Sequence, residues 1–362
     1  MTNGSIKSKD YTQTVPFELR KDLIIVSAFL NNDSTAREFI FDTGAFNSKV
    51  EYELAESLGL EVIAEKQNGT AQGITRRIEV VRLDSLKLGD TWISNAGAGK
   101  LKYDSLSASP CVAGSGIIGA NIIKLAHWKL DYKEQRLHFS DTPFEPSNNA
   151  GVLPFKRPLL SGTPTVNLKV GNREVQNVLF DVGFNGGLVL PISIASAFPN
   201  AETDTIYDRS TSGIYGTNTD TLLVKYLQVE VAGFTSTIPV EFSSLNKALL
   251  GNGFLKHFDV IINYKKDEIY LDNVKPVSIS PGAHLILAPN ATNCWEVTRT
   301  SAKVPFQLGD TFVRVNGKKP SEVFTDFCDY VMRRAEFFDG ETLLLETENG
   351  EVLEWGSWST YN

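Results

Sequence analysis

The stretch Glu38-Phe39-Ile40-Phe41-Asp42-Thr43-Gly44-Ala45 decides the fold. In it, an apolar run leads into an aspartate, a small hydroxyl residue and a glycine. The chain repeats this pattern as Asn177-Val178-Leu179-Phe180-Asp181-Val182-Gly183-Phe184. Short apolar runs that end in turn residues are typical of buried strands, so each aspartate is predicted to follow a strand. The repeat indicates two related halves that each carry one aspartate.

A glycine in a small polar setting follows each aspartate at almost the same distance. The first is in Gly73-Ile74, and the second is in Gly213-Ile214-Tyr215. The interval from Asp42 to Gly73 is one residue shorter than the interval from Asp181 to Gly213. Alternating strand patterns follow both glycines, so each is predicted to lie at the tip of a hairpin.

An apolar-apolar-glycine element closes each half. The two copies are Ile117-Ile118-Gly119 and Leu249-Leu250-Gly251. The interval from Gly119 to Gly251 equals the interval from Tyr132 to Tyr264. So many landmarks in one order and register predict two β-rich lobes of common ancestry.

These landmarks divide the 362-residue chain into four segments. Residues 1–14 are polar and are predicted to be a disordered tail. The two lobes are assigned to 15–148 and 149–275. Residues 276–362 contain short strand patterns and one helical pattern, which predicts a small α+β module. The fold class is therefore mainly β, with two lobes related by a pseudo-twofold.

Composition narrows the range of partners. The net charge is −8, which argues against nucleic acid, because phosphate binding needs a basic face. No apolar run is long enough for a membrane-spanning helix. The four histidines lack metal-binding spacing, so neither a metal nor another cofactor is expected. The polar start shows no secretory signal, so the chain is expected to be cytoplasmic, unless it is a trimmed periplasmic or secreted form.

The three cysteines are far apart in the sequence, at Cys111, Cys294 and Cys328. They lack metal-binding spacing, and an odd number leaves at least one thiol unpaired. Three small buried thiols are therefore expected, with a Cys294–Cys328 bridge as the alternative in an oxidising compartment.

Two aspartates on matching lobes are chemically informative, because a pseudo-twofold brings both strand ends to the lobe interface. Two carboxylates held close together do not both ionise readily, so their titrations separate. The ionised one can take a proton from water while the protonated one donates to a substrate carbonyl. Asp42 and Asp181 are thus the candidate catalytic pair, with the acid and base roles left open.

At these residues the chain resembles the retropepsin-like and pepsin-like aspartic peptidases. Asp42-Thr43-Gly44 is similar to the family's Asp-Thr/Ser-Gly, and 117–119 and 249–251 are similar to the element that braces the active-site loop. The resemblance implies two retropepsin-like β-barrel lobes, with Gly73 and Gly213 at flap tips. The chain looks most like a bacterial two-lobe form that ends in a PDZ-like domain.

The run from Leu308 to Gly317 resembles the Gly-Asp…Asn-Gly element of bacterial PDZ domains. This resemblance implies a peptide ligand that binds as an added strand. The alternative is that the C-terminal segment is a lid or brace packed on the lobes.

The second motif departs from the family at Val182, which precedes Gly183. The resemblance implies that the hydroxyl after each aspartate bonds to the backbone of the opposite lobe, and only Thr43 retains that hydroxyl. The expected function is an aspartic endopeptidase, acting as a monomer on a polypeptide. The alternatives are an inactive peptide-binding scaffold, marked by Val182, and a dimer that pairs two first lobes.

Overall fold

The computed structural model describes residues 3–70, 73–158, 161–199, 201–280, 282–338 and 342–356. Within these ranges the chain is mainly β and forms two lobes with barrel-like sheets, which confirms the predicted fold class. Below, first lobe, second lobe and C-terminal module denote residues up to 148, 149–275 and from 276 onward.

The described elements of the first lobe are β1 (Asn3–Ile6), β2 (Thr12–Pro16), β3 (Glu18–Arg20), β4 (Leu23–Leu30), β5 (Arg37–Phe41), β6 (Lys49–Glu51), α1 (Tyr52–Ser57), β7 (Val62–Gly69), β8 (Thr75–Leu88), β9 (Thr91–Leu101), α2 (Ser109–Val112), β10 (Gly116–Ile118), α3 (Ala120–Ile123), β11 (His127–Asp131) and β12 (Arg136–Ser140).

The described elements of the second lobe are β13 (Gly151–Lys156), β14 (Thr165–Val170), β15 (Arg173–Asp181), β16 (Leu188–Pro191), a 3-10 helix (Ile192–Ala197), β17 (Thr203–Asp208), β18 (Ser212–Gly213), β19 (Gly216–Thr217), β20 (Asp220–Val231), β21 (Phe234–Ser243), β22 (Leu249–Gly251), α4 (Asn252–Leu255), β23 (Phe258–Asn263) and β24 (Glu268–Asn273).

The described elements of the C-terminal module are β25 (Ile286–Pro289), β26 (Trp295–Ser301), β27 (Thr311–Phe312), β28 (Arg314–Val315), α5 (Pro320–Val323), α6 (Phe327–Phe338), β29 (Thr342–Glu346) and β30 (Val352–Gly356).

One sheet crosses the lobe interface in the order β2-β12-β11-β23-β24-β13. Its central pair is antiparallel, with Trp128 opposite Ile262 and Leu130 opposite Val260. The outer strands β2 and β13 also match, because β2 leads into Val15-Pro16-Phe17 and β13 contains the similar run Leu153-Pro154-Phe155. The pseudo-twofold therefore passes between β11 and β23.

Each lobe also has its own curved sheet. In the first lobe, β8 pairs with both β9 and β4, and in the second lobe β14 pairs with both β15 and β20. These extra pairings curl each sheet towards a barrel. The described residues form a large apolar cluster that extends through both lobes, with Phe41, Trp128 and Phe139 in the first lobe and Phe180 and Phe242 in the second.

The prediction of a disordered tail at 1–14 is wrong within the described residues. β1 pairs with β9, and Thr12–Pro16 pairs with β12 along its whole length. These polar strands are edge strands, and their partners are distant along the chain. A local polarity pattern therefore did not indicate them. Met1 and Thr2 lie outside the described residues.

The C-terminal module continues the sheet of the second lobe. Strand β26 pairs with β17, with Ile206 opposite Ser301 and Asp208 opposite Arg299. The module also has an apolar cluster of its own, which includes Trp295, Phe324 and Phe338. Among the described residues, no helix is long and apolar enough to cross a membrane.

The expectation of three unpaired cysteines is wrong, and so is the alternative Cys294–Cys328 bridge. Cys111 in α2 is bonded to Cys328 in α6, across a sequence separation of 217, while Cys294 is a free thiol. Helix α6 folds back against the first lobe, and this tertiary contact brings the two distant cysteines together. The disulfide thus fastens the C-terminal module to the first lobe.

Candidate active site

Each candidate aspartate lies at the end of a central strand held by a parallel neighbour. Beside Asp42, β10 runs parallel to β5, and the Asp42 backbone N–H donates to the Ile118 carbonyl at 3.0 Å. In the second lobe, β22 runs parallel to β15, with Asp181 opposite Gly251. The apolar-apolar-glycine elements Ile117-Ile118-Gly119 and Leu249-Leu250-Gly251 therefore lie directly beside the two aspartates.

The glycines of these two elements are required by close backbone packing. A Cβ on Gly119 would lie 2.6 Å from the carbonyl carbon of Asn47, and one on Gly251 would lie 2.5 Å from the Gly186 carbonyl oxygen. The Gly251 N–H also donates to the Gly187 carbonyl at 2.8 Å. Each element thus supports the loop that follows its aspartate.

The two aspartates meet at the lobe interface in a crossed arrangement. A Cβ on Gly44 would lie 2.4 Å from the Cγ of Asp181, and one on Gly183 would lie 2.1 Å from the Cγ of Asp42. The two carboxyl groups are close enough for each to influence the pKa of the other. Only glycine at both positions lets each carboxyl rest against the loop of the other lobe.

Backbone amides orient both carboxyl groups. The Ala45 N–H donates to Asp42 Oδ1 at 2.7 Å, and the Gly183 N–H donates to Asp181 Oδ1 at 2.9 Å. Asp181 is only 9% exposed. Burial and the neighbouring Asp42 charge raise the pKa of Asp181 well above its usual range.

The second carboxyl has a different electrostatic environment. Burial also raises the pKa of Asp42, but the ammonium of Lys49 opposes that shift. Lys49 is buried at the start of β6 and is 6% exposed. The pair is therefore asymmetric in charge, although each carboxyl packs against the glycine of the other lobe.

Thr43 crosses the interface, as the family resemblance implies. Its hydroxyl donates to the Phe180 carbonyl at 2.7 Å and accepts from the Val182 N–H at 3.0 Å. The side chains of Thr43 and Val182 are both fully buried. One hydroxyl therefore braces two backbone groups of the opposite loop, and Val182 has no hydroxyl with which to return the contact.

Asn252, which the sequence reasoning missed, supplies a second brace between the lobes. Its Nδ2 donates to the carbonyls of Val182 and Asp22, each at 2.7 Å. The Tyr132 hydroxyl donates to its Oδ1 at 2.7 Å. The available signal was its position directly after Gly251, together with the recurrence of Tyr132 in the repeat.

The predicted flap tips meet over the site. Gly73 lies in the turn between β7 and β8, with φ at +74°. Gly213 lies in β18 opposite Gly216 and not at the tip itself, which is formed by Ile214-Tyr215 between β18 and β19. Tyr215 is 3% exposed, and its hydroxyl accepts from Asn68 Nδ2 at 3.0 Å. Ile74 and Ile214 pack in the same small apolar cluster as Tyr215.

A second group of contacts holds the Tyr215 tip in place. The Arg76 guanidinium lies 4.7 Å from the centre of the Tyr215 ring. The Ser107 hydroxyl donates to the Gly213 carbonyl at 2.9 Å. The tip of the second lobe is therefore anchored on the first lobe.

A cavity of about 2000 Å³ extends from the aspartate pair to the C-terminal module. Asp42, Asp181, Gly73 and Ile214 line it on the lobe side, and Tyr330 of α6 is among the residues on the module side. The His, Cys, Asp and Glu side chains of the described residues form no group of three that could hold a metal ion.

A mainly β two-lobe fold with a pair of carboxyl groups at the lobe interface is the architecture expected of a retropepsin-like aspartic peptidase. The family model described as Aspartyl protease matches residues 26–121, which include Asp42, Gly73 and the 117–119 element. This match confirms the resemblance to the retropepsin-like aspartic peptidases within those residues. No curated protein matches the chain at a significant level.

Proposed function

We propose that the protein is an aspartic endopeptidase in which Asp42 and Asp181 share one proton and activate a water molecule. The observation that carries this proposal is the crossed packing of each carboxyl against the glycine of the other lobe. The match of residues 26–121 to the aspartyl protease family supports peptide hydrolysis in general.

The electrostatic asymmetry supports one assignment of the two roles. Asp42, beside the Lys49 ammonium, is the ionised base, and Asp181, whose pKa is raised more strongly, is the protonated acid. Asp42 takes a proton from water as the water oxygen bonds to the carbonyl carbon, and Asp181 donates its proton to the carbonyl oxygen. When the resulting diol collapses, one of its hydroxyl groups gives a proton back to Asp181. Asp42 transfers the proton that it took from water to the leaving amide nitrogen as the C–N bond breaks.

The flap contacts support an extended polypeptide as the substrate. The two hairpin tips approach each other above the pair, where they would cover a bound strand and exclude water. The cleft contains residues of both lobes of one chain, so the active unit is proposed to be a monomer.

An inactive peptide-binding scaffold is the second candidate function. Val182 favours it, because the second loop lacks the hydroxyl that would brace the first. The Thr43 and Asn252 contacts offset this loss, since both hold the Val182 backbone. We therefore place hydrolysis first.

Cleavage of denatured protein and of peptide libraries between pH 3 and pH 8 tests the proposal. Wild type is expected to cleave, while Asp42→Asn and Asp181→Asn each reduce cleavage at least about a hundredfold, because either change removes one of the two proton-transfer roles. Peptide binding without cleavage at any pH would favour the scaffold.

The division at 15–148, 149–275 and 276–362 and the PDZ-like nature of the last segment stay predictions. Two contacts favour a lid or brace: the pairing of β26 with β17, and the Cys111–Cys328 bond. The Tyr330 hydroxyl of α6 also donates to the Leu287 carbonyl at 2.9 Å, so it occupies part of the β25 edge that an added strand would use. Titration with peptides that have free C-terminal carboxylates separates these alternatives.

A further inference from the structure

We propose that the Cys111–Cys328 disulfide is a redox-controlled latch, a bond whose reduction changes which polypeptides enter the cleft. While the disulfide is intact, the C-terminal module closes one side of the cleft, and a polypeptide enters by a free end. Reduction opens that side and admits a loop held between two folded domains. This inference rests on the proposed function for its hydrolytic readout, while entry into the cleft is also measurable as binding.

The C-terminal module is attached to the second lobe by a strand pairing and by ion pairs. Strand β26 pairs with β17, and the Arg209 N–H donates to the Thr298 carbonyl at 2.7 Å beside that pairing. The ion pairs that cross this junction include Arg209–Glu296, Lys303–Asp204, Arg299–Asp208 and Arg299–Glu241. This side of the module is therefore continuous with the second lobe and does not depend on a disulfide.

The attachment of the module to the first lobe is of a different kind. Cys111 in α2 is bonded to Cys328 in α6, with their Cα atoms 4.9 Å apart, and Ala108 and Cys111 pack against the apolar cluster of the module. The ion pairs that the module makes with described residues lie within it or lead to the second lobe. The disulfide is thus the covalent part of this attachment, beside a small apolar contact.

Both attachments lie in the wall of the cavity that contains the aspartate pair. Near the disulfide, the lining residues include Val112 and Phe327, each a sequence neighbour of one cysteine. Near the junction of β17 and β26, they include Arg209 and Thr298. Because β11 and β23 also join the two lobes, the chain forms a closed circuit beside the cavity, from the first lobe to the second lobe, the module and back. A polypeptide with a folded domain at each end cannot enter such a circuit from the side.

The flap tips also join the lobes over the site, but by noncovalent contacts. The Asn68 side chain donates to the Tyr215 hydroxyl, and the Ser107 hydroxyl donates to the Gly213 carbonyl. Each such hydrogen bond contributes about 0.5–1.5 kcal/mol net, so thermal motion can separate the tips. The disulfide on the opposite wall opens only by a chemical reaction.

The disulfide is accessible to a reductant, because Cys328 is an exposed residue and Cys111 is half-buried. A thiolate of a dithiol attacks the Cys328 sulfur, which forms a mixed disulfide and releases the Cys111 thiolate. The second thiolate of the reductant then displaces the Cys328 thiolate. Two electrons pass to the protein, the dithiol becomes a disulfide, and its two protons reach the cysteines through solvent. Helix α6 can then leave α2 while β26 stays paired with β17.

One cleavable sequence presented in two forms tests the proposal: as a free peptide, and as a loop between two stably folded domains that lack cysteine. Oxidised wild type is expected to prefer the peptide. Reduction with dithiothreitol, below the melting temperature of the reduced protein, should raise the loop-to-peptide ratio of kcat/KM about tenfold, which corresponds to about 1.4 kcal/mol. Reoxidation should reverse the change. Cys328→Ser should show the raised ratio without reductant and should not respond to it.

Cys294→Ser is the matched control, because it removes the free thiol and keeps the disulfide, so its ratio should respond to reductant as wild type does. A ratio that stays constant on reduction would overturn the proposal. An equal loss of cleavage of both substrates would also overturn it, because the disulfide would then support stability alone.

Fluorescence anisotropy with the Asp181→Asn variant measures the binding of both substrates without hydrolysis. Absence of peptide cleavage by wild type would refute the peptidase, and this binding test would still judge the latch. Loop binding that strengthens on reduction relative to peptide binding would support the latch, and an unchanged ratio would overturn it.

Discussion

Replacing Thr43 by valine is expected to destabilise the lobe interface strongly. Valine has nearly the same shape, so the change creates no cavity and removes only the hydroxyl. The Phe180 carbonyl and the Val182 N–H, bonded to that hydroxyl at 2.7 and 3.0 Å, would both be left unsatisfied. Each buried unsatisfied group costs about 1–3 kcal/mol, so the two together cost about 2–6 kcal/mol. Against a total stability of about 5–15 kcal/mol, this loss is large.

Urea denaturation followed by tryptophan fluorescence measures the effect, because Trp128 is 1% exposed in the sheet that joins the lobes. Thr43→Ser is the matched control, since it keeps the hydroxyl and loses one methyl, at a cost of about 1 kcal/mol. If Thr43→Val unfolds at the same urea concentration as Thr43→Ser, the hydroxyl does not brace the interface. In Thr43→Val, the loss in kcat/KM, expressed as a free energy, should exceed the loss in unfolding free energy, because the hydroxyl fixes the loop that carries Gly183.

Three other changes test separate parts of the structure. Asp181→Asn should raise the melting temperature at pH 7. The folded-state pKa of Asp181 is raised, so the stability that this carboxyl contributes is present at low pH and is lost as the pH rises through the folded-state pKa. The gain should vanish below about pH 4, near the unfolded-state pKa, and a gain of equal size at pH 3 and pH 7 would contradict the cause given. Cys328→Ser should reduce stability by about 2–5 kcal/mol, because the bond closes a loop with a sequence separation of 217. Cys294→Ser should leave the melting temperature unchanged, and equal melting of the two variants would refute the role of the disulfide. Tyr215→Phe removes the acceptor for Asn68 and should raise KM about two- to tenfold, the equivalent of one hydrogen bond; an unchanged KM would show that the flap contact does not bear on substrate.

Local sequence patterns predicted the elements that recur. The apolar runs before Asp42 and Asp181 form strands, and the two elements ending in Gly119 and Gly251 lie parallel to them. These features depend on residues near each other in sequence, and the same local pattern occurs in both lobes, so each copy supported the prediction for the other. The placement of Gly73 in a hairpin turn follows from the same kind of local signal.

Features set by distant contacts could not be predicted in this way. Strand β2 is polar and exists because β12, at the far end of the first lobe's sequence, pairs with it. The Cys111–Cys328 bond depends on where α6 packs. Lys49 gave no signal either, because a lysine after a polar turn normally points to solvent, and Lys49 is buried because its strand pairs with β10 on one side and β9 on the other.

The charge asymmetry of the site arises from one strand position that the two lobes fill differently. In the first lobe, Lys49 lies opposite Ile117, and in the second lobe Val189 lies opposite Leu249, the matching residue of the repeat. Duplication by itself would give two carboxyl groups with equal environments, and the proton would have no preferred site. A lysine in one copy and a valine in the other break this equality, so the Asp42 carboxyl is favoured as the ionised partner.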